Sequence, residues 1–183
     1  MIIQRDILEQ LIKWKNRADR KPLILQGARQ IGKTTSIRAF GNTQYSHIAE
    51  FNFDKNKELK RVFEATKDIK RILLELSYYT NAPIIAGETL IFFDEIQECS
   101  EALNTLKYFD EDAPEFHVIA AGSLLGVALN RAGTSFPVGK VNFIQMYPVT
   151  FKEYLRAADE KLYSYAENIS RIDSLPEVVA NKM

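Results

Sequence analysis

The sequence predicts an α/β fold in which helices cover both faces of a mainly parallel central sheet. Two short apolar runs, residues 23–26 and 90–93, have the length and composition of strands that are buried on both faces. Between them the apolar residues recur at helical spacing, so strands and helices alternate along the chain. A glycine-containing stretch, residues 27–34, joins the first run directly to a segment without helix breakers. The 183 residues, 46% of them hydrophobic, suit one domain of ordinary size.

Residues 27–34 match the motif G-x-x-x-x-G-K-[ST] at every fixed position. Glycines let successive backbone N–H groups turn toward phosphate oxygens, and the helix that follows favours an anion at its first turn. Lys33 should reach the β and γ phosphates, and the Thr34 hydroxyl should ligate Mg²⁺. The alternative is a glycine turn with an exposed lysine. The motif predicts a P-loop nucleoside triphosphatase, a three-layer sandwich, that holds its nucleotide with Gly27, Ala28, Arg29, Gln30, Ile31, Gly32, Lys33, Thr34 and Thr35.

An amphipathic helix is predicted before the first strand, because Ile7, Leu8, Leu11 and Ile12 follow helical spacing. Plain core packing is one interpretation of this helix. The other is that the segment covers the adenine of the nucleotide, which would make Arg5 a candidate contact.

Further elements are predicted between the phosphate loop and the next buried strand. The helix after the loop should end before a turn at residues 41–44, and residues 47–53 alternate as a second strand. Two core helices should follow around residues 59–63 and 69–76, and residues 81–83 should end the pair.

Residues 89–95, Thr-Leu-Ile-Phe-Phe-Asp-Glu, combine a buried strand with two carboxylates at its carboxyl end. That edge is where open α/β sheets bind ligands. We expect Asp94 to hold Mg²⁺ and Glu95 to orient and deprotonate a water for attack on the γ phosphate. The alternative is that the Asp-Glu pair only caps the helix that follows.

A further buried strand, residues 116–121, ends in Gly122 and Ser123. The Ser123 hydroxyl is a candidate for sensing the γ phosphate or for placing the attacking water, although Gly-Ser also forms ordinary turns and helix caps. A short helix is predicted for residues 124–130, and Arg131 follows it.

The last predicted elements are a strand within residues 138–146 and several helices. Thr150 and Glu153 fit a capping box, so a helix should begin there and run to about Ala157. Residues 162–169 are predicted to be helical, and another helix should begin at Pro176.

Composition and charge exclude several classes of protein. The 24 acidic and 24 basic residues balance, so no overall field draws the chain to nucleic acid or to an anionic membrane. One cysteine, Cys99, excludes an internal disulfide and a zinc site built from cysteines. The first ten residues lack the apolar core of a signal peptide, and no apolar run is long enough to cross a bilayer. We therefore predict a cytoplasmic protein without a membrane partner.

The order of these motifs resembles the AAA-type (AAA+) ATPases of prokaryotes. The resemblance rests on the phosphate loop, on Phe-Phe-Asp-Glu-Ile-Gln at 92–97 and on Ala-Gly-Ser-Leu-Leu-Gly-Val-Ala-Leu at 121–129. Residues 135–141 and 147–154 are similar to the subgroup whose nucleotide domain is usually followed by a nuclease-like C-terminal domain of unknown function. The resemblance implies an AAA-type ATP-binding core over residues 1–158. It also implies a helical tail over residues 159–183 that starts a further region.

The resemblance implies that the strand ending at Ser123 lies between the phosphate-loop strand and the Asp94 strand, with Ser123 as a catalytic polar sensor. Gly139-Lys140 matches a Gly-Arg pair of relatives, but lysine lacks the bidentate fork of arginine. Arg131 and Lys140 are both candidates for acting on a neighbouring subunit, and both are equally well explained as surface charges. AAA-type proteins also continue into a helical lid that this sequence does not accommodate. We therefore expect a fragment or a shortened relative.

Three functions stay open at this point. The leading one is an Mg²⁺-dependent ATPase in which Lys33, Glu95 and Ser123 act in catalysis, and hydrolysis changes the conformation of an attached C-terminal domain or a partner. The second is a nucleotide-dependent binding switch with negligible hydrolysis. The third is a small-molecule kinase, for which the sequence offers no acceptor pocket. ATP rather than GTP rests on the resemblance, and a homo-oligomer and nucleic acid both stay open as partners.

Overall fold

The computed structural model describes residues 3–122 and 139–168. The chain divides into two compact units, one formed by residues 7–148 and the other by residues 3–6 together with the segment from 149 onward. The larger unit contains the whole sheet and the phosphate loop.

The larger unit is built on a five-stranded sheet in which every pairing is parallel. The strands lie in the order β2-β3-β4-β1-β5. Their bounds are Leu23–Gln26 (β1), His47–Asn52 (β2), Thr89–Asp94 (β3), His117–Gly122 (β4) and Asn142–Gln145 (β5). The α/β prediction is therefore confirmed, and β4 does lie between β1 and β3.

Helices occupy the connections between these strands. In the larger unit they are Ile7–Lys15 (α1), Lys33–Gln44 (α2), Leu59–Ala65 (α3), Ile69–Thr80 (α4) and Ser100–Asp112 (α5), with a 3₁₀ turn at Ile96–Glu98. In the smaller unit they are Phe151–Ala158 (α6) and Glu160–Asn168 (α7). The predicted helix at residues 124–130 and the helix expected at Pro176 lie outside the described residues.

The core lies on both faces of the sheet, as a three-layer arrangement requires. Successive residues of a strand point to opposite faces, so Leu90 and Phe92 join one apolar cluster while Ile91 and Phe93 join the other. Every residue of β3 and β4 is buried. The central strands therefore read as continuous apolar runs, and this is why the sequence predicted them well.

Helix α1 supports the core-packing interpretation. Ile7, Leu11 and Trp14 are buried in the same cluster as Phe40 of α2. Arg5 belongs to the other unit, where its Nε donates to Glu153 Oε1 at 3.1 Å. Glu153 also completes the predicted capping box with Thr150, which is confirmed.

The predicted turn at residues 41–44 is wrong, because α2 continues through these residues to Gln44. Gly41 lies inside the helix, where a Cβ atom would come within 2.5 Å of Ile48 Cδ1 and 3.1 Å of Leu90 Cδ2. The glycine thus lets α2 pack closely on the sheet and does not end the helix. In a sequence alone, glycine favours the prediction of a turn. Only the packing in the structure shows that Gly41 allows a close contact between helix and sheet.

Within the described residues, no helix is long and apolar enough to cross a membrane.

His117 opens β4 at the amino edge of the sheet and is buried. Its Nδ1 lies 2.7 Å from the Tyr45 hydroxyl, and the rings of Trp14 and Tyr45 meet its ring edge-on. Burial lowers the pKa of His117 from its ordinary value of 6.5 to about 4, and the charges of Arg20 and Lys15 act in the same direction. The histidine is therefore neutral in the folded protein at pH 7 and packs as part of the core.

This burial predicts a pH-dependent stability. Because the folded pKa lies below the unfolded value, the unfolded chain binds an extra proton between about pH 6.5 and about pH 4. The free energy of unfolding should fall as the pH drops through that window. Urea unfolding at pH 7.5 and pH 5 should show a smaller fall for His117→Gln than for the wild type. His47→Gln, at the exposed start of β2, is the matched control; equal falls in all three proteins would contradict the assignment.

Candidate functional site

The phosphate loop connects β1 to α2 with backbone angles that only glycine adopts easily. Gly27 has φ 153° and Gly32 has φ 94°. A Cβ atom on Gly27 would lie 2.5 Å from the carbonyl oxygen of Met146, so no larger residue fits there. Met146 in turn donates its N–H to Gln26 O at 2.8 Å. The end of β1 and the residue after β5 therefore fix where the loop begins.

Lys33 is the first residue of α2, and its ammonium folds back onto the loop. Nζ donates to the carbonyl oxygens of Gly27 at 2.9 Å and Ala28 at 2.7 Å. The residue is only 8% exposed, and burial lowers its pKa, while the charges of Glu95 and Asp94 raise it. A cation held over the loop by carbonyl oxygens is placed to meet an anion there.

Asp94 ends β3 and faces Thr34 at the start of α2. The Thr34 hydroxyl lies 3.4 Å from Asp94 Oδ1 and 3.3 Å from Oδ2, a separation that is long for a direct hydrogen bond. Asp94 is 7% exposed, and its pKa is raised, chiefly by burial. A hydroxyl and a carboxylate are the hard oxygen ligands that Mg²⁺ prefers, so the pair fits this ion.

No group of three or more His, Cys, Asp or Glu side chains within the described residues is arranged to hold an ion. Mg²⁺ commonly takes one or two protein oxygens and completes its shell with phosphate and water. The Thr34 and Asp94 pair therefore fits a metal that arrives with a nucleotide.

Asn52 is a site residue that the sequence analysis missed. It ends β2 directly beside Asp94 in the parallel register, and its Nδ2 donates to Asp94 Oδ2 at 3.1 Å. Its Oδ1 accepts from the N–H groups of Asp54 at 3.1 Å and Lys55 at 2.9 Å. Both ends of the amide are thus engaged, which fixes the donor toward Asp94. The position of Asn52 at the end of a predicted strand could have indicated a site residue. That position is informative only once β2 is known to pair with β3.

Glu95 follows β3 with φ 51°, a left-handed conformation that is uncommon outside glycine. It precedes the 3₁₀ turn but makes no side-chain capping bond to it. The Glu95 carboxylate instead accepts a hydrogen bond from Gln97 Nε2 at 2.6 Å. The interpretation of Glu95 as a helix cap is therefore not supported.

Several of these residues line one cleft of about 580 Å³ at the carboxyl edge of the sheet. Eight predicted site residues line it together with three that were not predicted, Asp54, Gln97 and Glu98. The eight are Arg29, Gln30, Gly32, Lys33, Thr34, Thr35, Asp94 and Glu95.

The other predicted residues lie elsewhere or are not described. Gly27 and Ala28 meet the Lys33 ammonium through their carbonyl oxygens, and Ile31 packs against the core. Ser123 and Arg131 lie outside the described residues.

Lys140 lies at the amino edge of the sheet, opposite the cleft. It precedes β5, whose first residue pairs with the first residue of β1. Its ammonium forms ion pairs with Asp110 at 3.5 Å and Glu111 at 3.1 Å, near the end of α5. Within its own chain Lys140 is therefore a surface ion-pair residue, and its action on a neighbouring subunit stays a prediction.

Comparison with curated protein sequences gives no significant match. Solved structures do match the fold. The Aeropyrum pernix Orc1 protein, determined in complex with DNA, aligns with a TM-score of 0.52 at 14% identity over 91% of this chain and 50% of its own. C. elegans PCH-2 aligns with a TM-score of 0.46 at 12% identity over 94% of this chain and 50% of its own. The chain thus spans about half the length of these two structures.

The family is shown by a sequence match that covers most of the chain. Residues 19–155 match the family model described as an AAA domain. The matched segment contains the phosphate loop, Asn52, Asp94 and Glu95, and thus the whole cleft described above. With this motif order, an all-parallel sheet and a match of this extent, the chain belongs to the AAA domain family of P-loop nucleotide-binding proteins.

Proposed function

We propose that this protein binds ATP with Mg²⁺ and hydrolyses it, and that hydrolysis changes the conformation of an attached domain or a partner. The observation that carries the proposal is the convergence of Lys33, Thr34, Asp94 and Glu95 on one cleft. These four side chains supply the separate functions that phosphoryl transfer to water needs: a phosphate-binding cation, two metal ligands and a base.

Binding would rest on the phosphate loop. The loop N–H groups and the first turn of α2 favour the β and γ phosphates, and the Lys33 ammonium would turn from the carbonyl oxygens of residues 27 and 28 toward them. Thr34 and Asp94 would hold Mg²⁺, which when bound neutralises charge on the β and γ phosphate oxygens. Asn52 keeps the Asp94 carboxylate oriented for this contact.

Catalysis would rest on Glu95. Its carboxylate would accept a proton from a water as the water oxygen forms a bond to the γ phosphorus, and the bond from that phosphorus to the bridging oxygen would break to leave ADP and phosphate. Ser123, which directly follows β4 in the sequence, belongs to the proposal as a polar sensor of the γ phosphate.

A nucleotide-dependent binding switch is the second candidate. The placement of Lys140 favours it, because Lys140 pairs with Asp110 and Glu111 at the amino edge of the sheet, away from the cleft of its own chain. Steady-state turnover separates the two candidates. Four points stay predictions: a cytoplasmic location, a homo-oligomer, a nuclease-like C-terminal domain and contact with nucleic acid.

Removal of the Glu95 carboxylate should separate binding from hydrolysis. Glu95→Gln keeps the size and hydrogen-bonding reach of the side chain but cannot take a proton from water at neutral pH. We expect ATP affinity within about twofold of the wild type and turnover reduced by about 10²–10⁴-fold. Calorimetric titration and phosphate release measure the two quantities. Glu88→Gln, an exposed carboxylate before the opposite end of β3, is the matched control; unchanged turnover in Glu95→Gln would exclude Glu95 as the base.

Asn52 should control the affinity for Mg²⁺. Asn52→Leu removes the donor to Asp94, so the pKa of Asp94, already raised by burial, rises further and less of the metal-binding form is present. Loss of such an outer-shell partner typically costs about 10–100-fold in metal affinity. The Mg²⁺ concentration for half-maximal turnover should rise accordingly.

Asn56→Leu is the control for this effect. The Asn56 amide also caps a turn, by accepting from Glu58 N at 3.1 Å, but this hydrogen bond does not involve Asp94. Equal Mg²⁺ dependence in Asn52→Leu, Asn56→Leu and the wild type would show that Asn52 serves only the turn.

A further inference from the structure

The geometry points to Gln97 as the positioning residue that holds Glu95 in the orientation needed to activate water. This inference adds a residue to the proposed mechanism of hydrolysis, and its kinetic consequences rest on that proposed function. It concerns a side chain that does not itself touch the reacting atoms.

The first observation is the way that hydrogen-bond donors divide between the two adjacent carboxylates. Thr34 and Asn52 face Asp94, and the Lys33 ammonium bonds to backbone carbonyl oxygens. Within the described residues, the side-chain donor to Glu95 is Gln97 Nε2, at 2.6 Å from Oε2. A charge-assisted bond of this length is among the stronger side-chain contacts. Gln97 therefore acts on the proposed base, and Asn52 acts on the metal ligand.

The second observation is that the backbone holds Gln97 beside Glu95. The left-handed conformation of Glu95, with φ 51°, ends β3 sharply and starts the 3₁₀ turn. Glu98 N donates to Glu95 O at 3.0 Å, and Cys99 N donates to Ile96 O at 2.9 Å. Ile96 and Cys99 are buried on either side of Gln97, so the turn is anchored in the core. The turn and its buried neighbours thus hold the backbone of Gln97 beside Glu95.

The third observation is that the hydrogen bond from Gln97 to Glu95 is accompanied by a loss of stability at the other end of the Gln97 amide. Gln97 Oε1 is buried and accepts no hydrogen bond from a described residue. A buried acceptor without a donor lowers stability, and such groups recur where a site serves chemistry. Within the described residues, the arrangement satisfies the end of the amide that faces Glu95.

The chemical consequence follows from the geometry of a carboxylate. A free glutamate side chain samples several rotamers, and a base must stay within hydrogen-bond reach of the proton it takes. Gln97 occupies one carboxylate oxygen, Oε2, and immobilises the group. No donor from the described residues occupies the second oxygen, Oε1, which can accept the proton of the attacking water.

Gln97→Met tests this role, since methionine has a similar length and no hydrogen-bond donor. We expect kcat for ATP hydrolysis to fall about tenfold with KM for ATP unchanged, because the base is present but poorly oriented. Gln97→Glu places a second carboxylate against Glu95, and its kcat should fall at least as far. This variant replaces Gln97→Met in the test if the methionine variant does not fold. Gln10→Met, an exposed amide on α1, is the control and should match the wild type.

A double-mutant cycle separates positioning from a general structural effect. In the Glu95→Gln background, Gln97→Met should cause no further loss of turnover, because it acts through the missing carboxylate. A full additional loss would overturn the inference. Wild-type turnover in Gln97→Met, or a raised KM with unchanged kcat, would overturn it as well.

If the wild type binds ATP without turnover, the proposed hydrolysis is wrong, but the positioning role of Gln97 can still be tested. The crystal structure of Gln97→Met provides that test. More than one rotamer of Glu95 in the variant supports the positioning role. A single rotamer identical to that of the wild type overturns it.

Discussion

The site depends on one constraint, which is that all five strands run parallel. Parallel pairing brings the carboxyl ends of the strands to the same edge of the sheet, and there the loop after β1, Asn52 of β2 and Asp94 of β3 meet. The strand β4 separates β1 from β3, which leaves room for a cleft between the phosphate loop and the carboxylates. The helices in the connections bury both faces of the sheet that carries this edge.

Burial sets the electrostatics at that edge. Lys33 and Asp94 are both almost fully buried, and burial acts against the charged form of each. Short polar contacts offset this cost: carbonyl oxygens for the ammonium, and the amide of Asn52 for the carboxylate. The result is a site in which each charge is held in place by a neutral partner. A nucleotide with its metal would bring phosphate oxygens to the Lys33 ammonium and a cation to the Asp94 carboxylate.

The sequence predicted the parts of the site that are local. The phosphate loop is read from eight consecutive residues, and Asp94 and Glu95 follow a strand whose four apolar residues mark it as buried. Asn52 was missed because its importance comes from the pairing of β2 with β3, which no local pattern encodes. Gln97 was missed because its approach to Glu95 requires a left-handed residue and a 3₁₀ turn. Gly41 was misread as a turn, since only packing against Ile48 shows why a helix would contain it.

The binding of ATP with Mg²⁺ tests the central claim most directly. Calorimetric titration of the wild type should show one site per chain, and Lys33→Ala should weaken the affinity by about tenfold or more, because a charged contact to phosphate is lost. Lys13→Ala, an exposed lysine on α1, should bind as the wild type does. Equal affinity in all three proteins, or no binding by the wild type, would contradict the assignment of this cleft to a nucleotide.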